Sequence, residues 1–292
     1  MINDRSASSI VFDIVLYAVL ALLVIVTLFP VLHVGAVSLS ESTAISQGKV
    51  SIWPVNFTLS AYEKIMTGGA VPRGFVNSVY YTLFGTVISM ALTILTAYPL
   101  SKKRLPLRGF YTALFMFTMF FGGGMIPSFL LVVNLNIYNT VWALLLPGAI
   151  STWNLVILRT FFQAVPDELE EAASIDGAND MTVLALIVLP LSKAALATIS
   201  LFYAVARWNS WFSAAIYLRS SSLYPLQLIL RSIVIQNTAL EEMASSDEDM
   251  IRVSTESIKY ATLFVSIVPM MLVYPFIQKY FAKGVMVGSL KG

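Results

Sequence analysis

Cysteine is absent from the 292 residues, so no disulfide can staple extramembrane loops and no thiolate metal site can form. Histidine occurs once. The spans carry no paired carboxylates, histidine cluster or nucleophile motif, which excludes a membrane enzyme of the usual kinds. No glycine-rich phosphate loop ending in Gly-Lys-Ser or Gly-Lys-Thr is present, so the chain does not bind and hydrolyse ATP by itself. Charge is also scarce: 12% of residues are charged against 58% hydrophobic, with a mean hydropathy of +0.79. A soluble domain cannot expose that much apolar surface. The formal net charge is only +2, and no basic face emerges, so nucleic acid is not a partner.

What is present is a set of long apolar runs. Hydrocarbon about 30 Å thick requires roughly 20 apolar residues per helix, and six segments qualify: about 11–33, 76–100, 110–133, 140–162, 183–206 and 260–280. These observations predict an all-α, multi-pass integral membrane protein with one domain over residues 1–292 and the lipid bilayer as its solvent. Lys102, Lys103, Arg104 and Arg108 crowd one short loop, and Lys279, Lys283 and Lys291 lie at or beyond the last run. Both regions are expected on the cytoplasmic side, which puts both termini inside. Loop 207–259, with Arg207, Arg219, Arg231, Arg252 and Lys259 among acidic neighbours, is then outside, and acidic loop 163–182 inside.

Local signals refine this outline. Ser60 with Glu63 three residues on reads as a helix cap, and Gly68-Gly69 with Pro72 breaks the chain before the second run. Phe121-Gly122-Gly123-Gly124-Met125-Ile126-Pro127 interrupts the third run. Irregular backbone at membrane depth lines a cavity or is buried in protein, so this is either a bend beside a translocation path or a packing kink. Asp13 and His33 are the ionisable candidates for a relay in an ion- or proton-coupled secondary transporter, the alternative class. Both lie near the ends of the first run.

The acidic loop is the most distinctive element. Val165-Pro166-Asp167-Glu168 opens a helix with acids at its positive end. Gly177 should end it in a left-handed conformation, after which Asn179 or Asp180 caps a second helix. Leu169, Ala172 and Ala173 share one face. So short a helix is marginal in water and needs something to pack against.

The order Glu171-Ala172-Ala173, Gly177 four residues on, and Ile187-x-Leu189-Pro190 resembles the signature of binding-protein-dependent ABC importer permeases. Arg73-Gly74-Phe75-Val76-Asn77-Ser78, Tyr98-Pro99-Leu100-Ser101 and the tail from Phe281 to Gly292 are similar to the carbohydrate branch, the tail to its maltose-type six-span permeases. Residues 123–177 further resemble permeases importing oligosaccharides derived from polysaccharides, including alginate. The resemblance implies a type I importer in the bacterial inner membrane. Two permeases, a heterodimer including this chain, form the pore; two ABC ATPases carry ATP and Mg, with no cofactor on this chain; an external sugar-binding protein delivers the oligosaccharide. It further implies that loop 163–182 docks in the ATPase: Glu171 and Asp176 supply polar contacts, Ala172 and Ala173 the close fit, Gly177 the turn, and Pro190 the kink into the fifth span, with Ile187 and Leu189 part of the same coupling signature. Lys283, Gly284, Gly288 and Lys291 would touch the ATPase pair, and residues within 236–250 the binding protein. Aromatics near the inferred interfaces, Trp153 and Trp211 among them, read as interfacial anchors or as platforms for sugar rings.

Overall fold

The computed structural model describes residues 7–243, 256–273 and 275. Every regular element among them is helical. They fall in two compact units, one drawn from Met1–Val71 and Ser232–Val268, the other from Pro72–Arg231 and Pro269–Gly292.

In the first unit, α1 (Ala7–Ser38) runs 32 residues, about 48 Å at 1.5 Å per residue. Its side chains from Val11 to Pro30 are all exposed within the chain, so the apolar sequence is matched to lipid or to another protein. Packing within the chain begins at its last turns. Ala36, Val37, Ala44 and Val50 form a small core, the Ser38 hydroxyl meets that of Tyr62 at 2.8 Å, and the Ser40 hydroxyl accepts from the Val55 N–H at 3.0 Å. His33 is tied by Nδ1 to the Ser51 carbonyl at 2.8 Å and flanked by Phe29 and Tyr260. Ser60 does not cap the helix Ser60–Thr67: Leu59 holds the cap position, and the Ser60 N–H donates to Thr58 Oγ1 instead.

The second unit is built on α2 (Ala70–Ser101), again 32 residues. Gly69 adopts φ +69° and marks the predicted break, but Pro72 sits in the first turn, where it has no helical donor to lose. There follow α3 (Arg108–Phe120), α4 (Met125–Asn134), α5 (Thr152–Gln163), α6 (Asp167–Ile175), α7 (Asp180–Leu191), α8 (Lys193–Trp208) and α9 (Leu226–Met243). The last helix among the described residues is α10 (Glu256–Val273), which belongs to the first unit up to Val268.

These boundaries revise the spans read from hydropathy. Among the described residues three helices are long and apolar enough to cross a membrane, and five if two bent pairs each count as one. The third run is α3 and α4 meeting at 114°, and the fifth is α7 and α8 meeting at 86°. The fourth yields a helix of 12 residues, about 18 Å, preceded by the short helix Trp142–Leu145. Loop 207–259 is also more structured than its charges suggest. Arg207 ends α8, the 18-residue α9 lies inside the loop, and Lys259 belongs to α10.

Tyr98, Leu155, Leu158, Phe162, Val188 and Ile199 sit in the buried core that joins α2, α5, α7 and α8. Two of its hydroxyls are paired as burial demands: those of Thr93 and Tyr203 lie 2.7 Å apart, and the Tyr203 hydroxyl also accepts from the Ser151 N–H at 3.0 Å, whereas the Tyr98 hydroxyl has no partner.

At the other end of α2, Asn77 donates to the carbonyls of Ser222 and Tyr224 at 2.8 and 3.0 Å. Ser78 accepts from the Leu226 N–H at 2.8 Å. Gly74 faces the start of α9, where an added Cβ would overlap the Ile229 side chain and lie 3.3 Å from Leu226 backbone. The run from Arg73 to Ser78 is therefore a seat for residues 222–229. Gly74→Val should overpack it by about 1–3 kcal/mol, lowering the midpoint of thermal unfolding of the purified protein; an unchanged midpoint would contradict this packing.

Candidate functional site

The acidic segment forms a helix, a turn and a second helix. Pro166 (φ −59°) precedes α6, and Asp167, Glu168 and Glu170 lie in its first turn, near the positive end of the helix dipole. Gly177 has φ +86°. Its N–H donates to the Ser174 carbonyl at 3.1 Å, and the Ala178 N–H to the Ala173 carbonyl at 2.9 Å, the paired closure of a Schellman turn. Of the two predicted caps the structure uses Asn179, whose Oδ1 accepts from the Thr182 N–H at 2.9 Å.

One side of this unit is anchored. Lys102 pairs with Glu170, their side chains only 11% and 13% exposed, and the ammonium also lies 4.9 Å from the Tyr98 ring centroid. Lys103 and Asp167 form an exposed pair at 3.5 Å, and Arg104 pairs with Asp180 in the open. Exposed pairs contribute little; the enclosed one matters more, because removing one member strands the other charge. Lys102→Met is expected to cost about 3 kcal/mol and to loosen α6, read as faster proteolysis near residue 170. Protection equal to that of the unaltered chain would count against the anchor. Between the basic loop and α6 lies a cavity of about 610 Å³ that Arg108, Gln163 and Glu171 also line.

The opposite side is open. Ala172, Asp176 and Gly177 are exposed there, as is the apolar Leu169; Glu171 and Ile175, the latter 86% exposed, stand at the rim of the cavity, and exposed Met181 lies beside the basic loop. The residues predicted to act together thus divide. Ala173 is turned inward against the core, as are Ile187 and Leu189, so the close fit predicted for both alanines is left to Ala172, with Ala173 as an anchor. Pro190 is exposed, but the sharp bend falls at Ser192, between α7 and α8. Lacking an N–H, Pro190 cannot bond the carbonyl four residues back, and the residues before it, Leu184–Val188, form a π turn. Lys283, Gly284, Gly288 and Lys291 lie outside the described residues, as does the 244–250 part of the outer segment. Among the described residues no three His, Cys, Asp or Glu side chains group as a metal site.

The sequence signal missed Lys102, Lys103 and Arg104 as partners of the acidic helix. Charge complementarity between two short loops assigned to the same side was the available hint.

An all-helical membrane protein with an exposed polar helix-turn-helix between apolar segments defines a transport subunit of the permease class. Residues 85–287 match the family described as binding-protein-dependent transport system inner membrane component. The chain belongs to that family: it is a sugar ABC importer permease of the inner membrane, a transport subunit and not an enzyme. It is 43% identical over 285 residues to the polygalacturonan/rhamnogalacturonan transport system permease protein YtcP of Bacillus subtilis (strain 168), covering 96% of this chain and 98% of that one. Protein LplC of the same organism is 39% identical over 270 residues, 91% of this chain and 90% of that one. In the crystal structure of a bacterial ABC transporter involved in the import of the acidic polysaccharide alginate, one chain matches with a TM-score of 0.86 at 33% identity, covering 95% of this chain and 99% of that one. Membership implies a solute-binding protein and ATPase subunits as partners, and the secondary-transporter alternative falls with it.

Proposed function

We propose that this chain forms half of the pore for a uronate-rich oligosaccharide, and that the outward side of α6 and the Gly177 turn docks in a cleft of a partner ATPase. The observation that carries the docking is the open side itself: Leu169 and Ala172 stand exposed on a nine-residue helix whose other side is already anchored. Such a helix gains its stability from what it packs against. A second permease completes the pore as a heterodimer, ATP and Mg stay on the ATPases, and the chain crosses the membrane six times with both termini in the cytoplasm. Two bent helix pairs can each serve as one crossing, and the short α5 with the segment before it as another. The cargo reading is supported by what two relatives are named for, polygalacturonan and the acidic polysaccharide alginate, both carboxylate-bearing polymers.

The absence of cysteine makes the docking directly testable. Ala172→Cys should cross-link to a cysteine placed in the ATPase cleft, and Ala173→Cys, one residue on but turned inward, should not. Equal cross-linking of both, or of neither, would sink the docking assignment. In the same preparation the purified chain alone is expected to show no ATP hydrolysis, whereas the assembled complex should hydrolyse ATP, faster with loaded binding protein. Uptake of oligogalacturonate or oligo-alginate in preference to a neutral oligosaccharide of equal length tests the cargo.

A further inference from the structure

A second concavity lies on the far side of the basic loop, about 350 Å³ in volume and walled by Leu95, Pro99, Leu105, Pro106, Met181 and Leu184. Its polar lining is Tyr98, Lys102, Arg104 and Asp180. Leu95 is 49% exposed and Met181 62%, so the apolar wall is open rather than sealed in the core. It continues along α2, a helix apolar enough to cross the bilayer, and the cations stand where that helix ends. Tyr98 supplies an independent observation. The residue is 6% exposed, and its hydroxyl is buried with no hydrogen-bond partner. A buried hydroxyl left unpaired costs about 1–3 kcal/mol, and the Tyr98 side chain that carries it lines both the groove and the larger cavity beside it.

We propose that this groove is a site for an anionic phospholipid, with an acyl chain along Leu95, Leu105 and Leu184 and the headgroup phosphate taking the Tyr98 hydroxyl and the free donors of Arg104. Three features select that ligand. A guanidinium has five N–H donors, and Asp180 engages Arg104 through one nitrogen, so a phosphate can share it. The apolar wall excludes a purely polar anion as the natural occupant, since most of the groove would stay unfilled. A zwitterionic lipid would bring an ammonium beside Lys102 and Arg104, whose carboxylate partners Glu170 and Asp180 are already engaged and leave it no free acid. Because Asp180 and Met181 open α7, the bound headgroup would sit against the turn of the acidic loop.

The test uses the full importer in nanodiscs of phosphatidylcholine with and without phosphatidylglycerol. Native mass spectrometry reads retained lipid, and ATPase stimulation by loaded binding protein reads the consequence. The unaltered complex should retain phosphatidylglycerol, and Tyr98→Phe with Arg104→Gln should retain about tenfold less. Lys103→Gln, which removes a cation from the basic loop but not from the groove, should retain it as before. Millimolar inorganic phosphate should not displace the lipid. Three results would overturn the site: undiminished retention by the double variant, equal loss in Lys103→Gln, which means a diffuse surface field, or displacement by phosphate, which means a small-anion pocket. Tyr98→Phe alone keeps the ring and its packing and isolates the hydroxyl if the double variant fails to assemble.

Discussion

Gly177→Val should leave the chain folded and inserted yet reduce uptake per inserted complex by about tenfold or more. The residue has φ +86°, and nothing lies within 4 Å of the place a Cβ would occupy. The penalty is therefore conformational and involves no collision. A β-branched residue in that region is a true outlier, at about 1–3 kcal/mol, and every 1.4 kcal/mol is tenfold in an equilibrium. The chain escapes by giving up the left-handed turn, and with it the two bonds that close α6 on Ser174 and Ala173. The core residues Leu158, Phe162 and Val188 are untouched, so insertion should survive while the docking geometry does not. Gly177→Asn is the discriminating companion, because asparagine tolerates the left-handed region and should retain most activity. Glu171→Lys should fail for a different reason: the side chain is exposed, and reversing its charge alters the docking surface but not the fold. Full uptake by well-inserted Gly177→Val would remove the coupling role assigned to the turn.

The turn was legible in sequence because its causes are local. Gly177 ends the helix and Asn179 caps the next within a few residues, and each acts on backbone groups beside it. The anchoring of α6 was not legible, since Lys102 and Glu170 are 68 residues apart and only the packing of α2 against α5 brings them together. The bends divide the same way. Three glycines announced an interruption after Phe121, but glycine leaves the direction of the next helix open, so the 114° between α3 and α4 could not be read from them. At Ser192 the sequence offered only Pro190 nearby, and the change of direction falls two residues further on. The motif at Gly74, Asn77 and Ser78 was visible as a resemblance without a reason; the reason is the seat it makes for residues 222–229. Hydropathy gave neither the length of α5 nor the bonds of Arg207, because it scores a residue's transfer to lipid and is blind to partners that satisfy a polar group within the fold.

Arg207→Met is the substitution expected to cost the fold most. The guanidinium ends α8 and donates to the carbonyls of Leu144 and Leu145, the latter at 3.2 Å, and to the Ser89 hydroxyl at 3.2 Å. Leu145 and Ser89 are almost fully buried. The carbonyls close the short helix Trp142–Leu145, where the last acceptors lack intrahelical donors and the dipole favours a cation. One side chain thus joins α2, α8 and the start of the fourth apolar run. Methionine fills similar space but leaves two carbonyls and a hydroxyl short of a donor, at about 1–3 kcal/mol for each buried group. A total near 3–5 kcal/mol is a large fraction of a domain's stability, so the variant should accumulate poorly and unfold at lower temperature in detergent. Lysine keeps the charge on a point donor without the fork and should fall between. Ser89→Ala removes one acceptor and leaves both carbonyls paired, so its effect should be small, and its combination with Arg207→Met should be less than additive. A methionine variant as stable as the unaltered chain, yet defective in uptake, would move Arg207 from the scaffold to the translocation path.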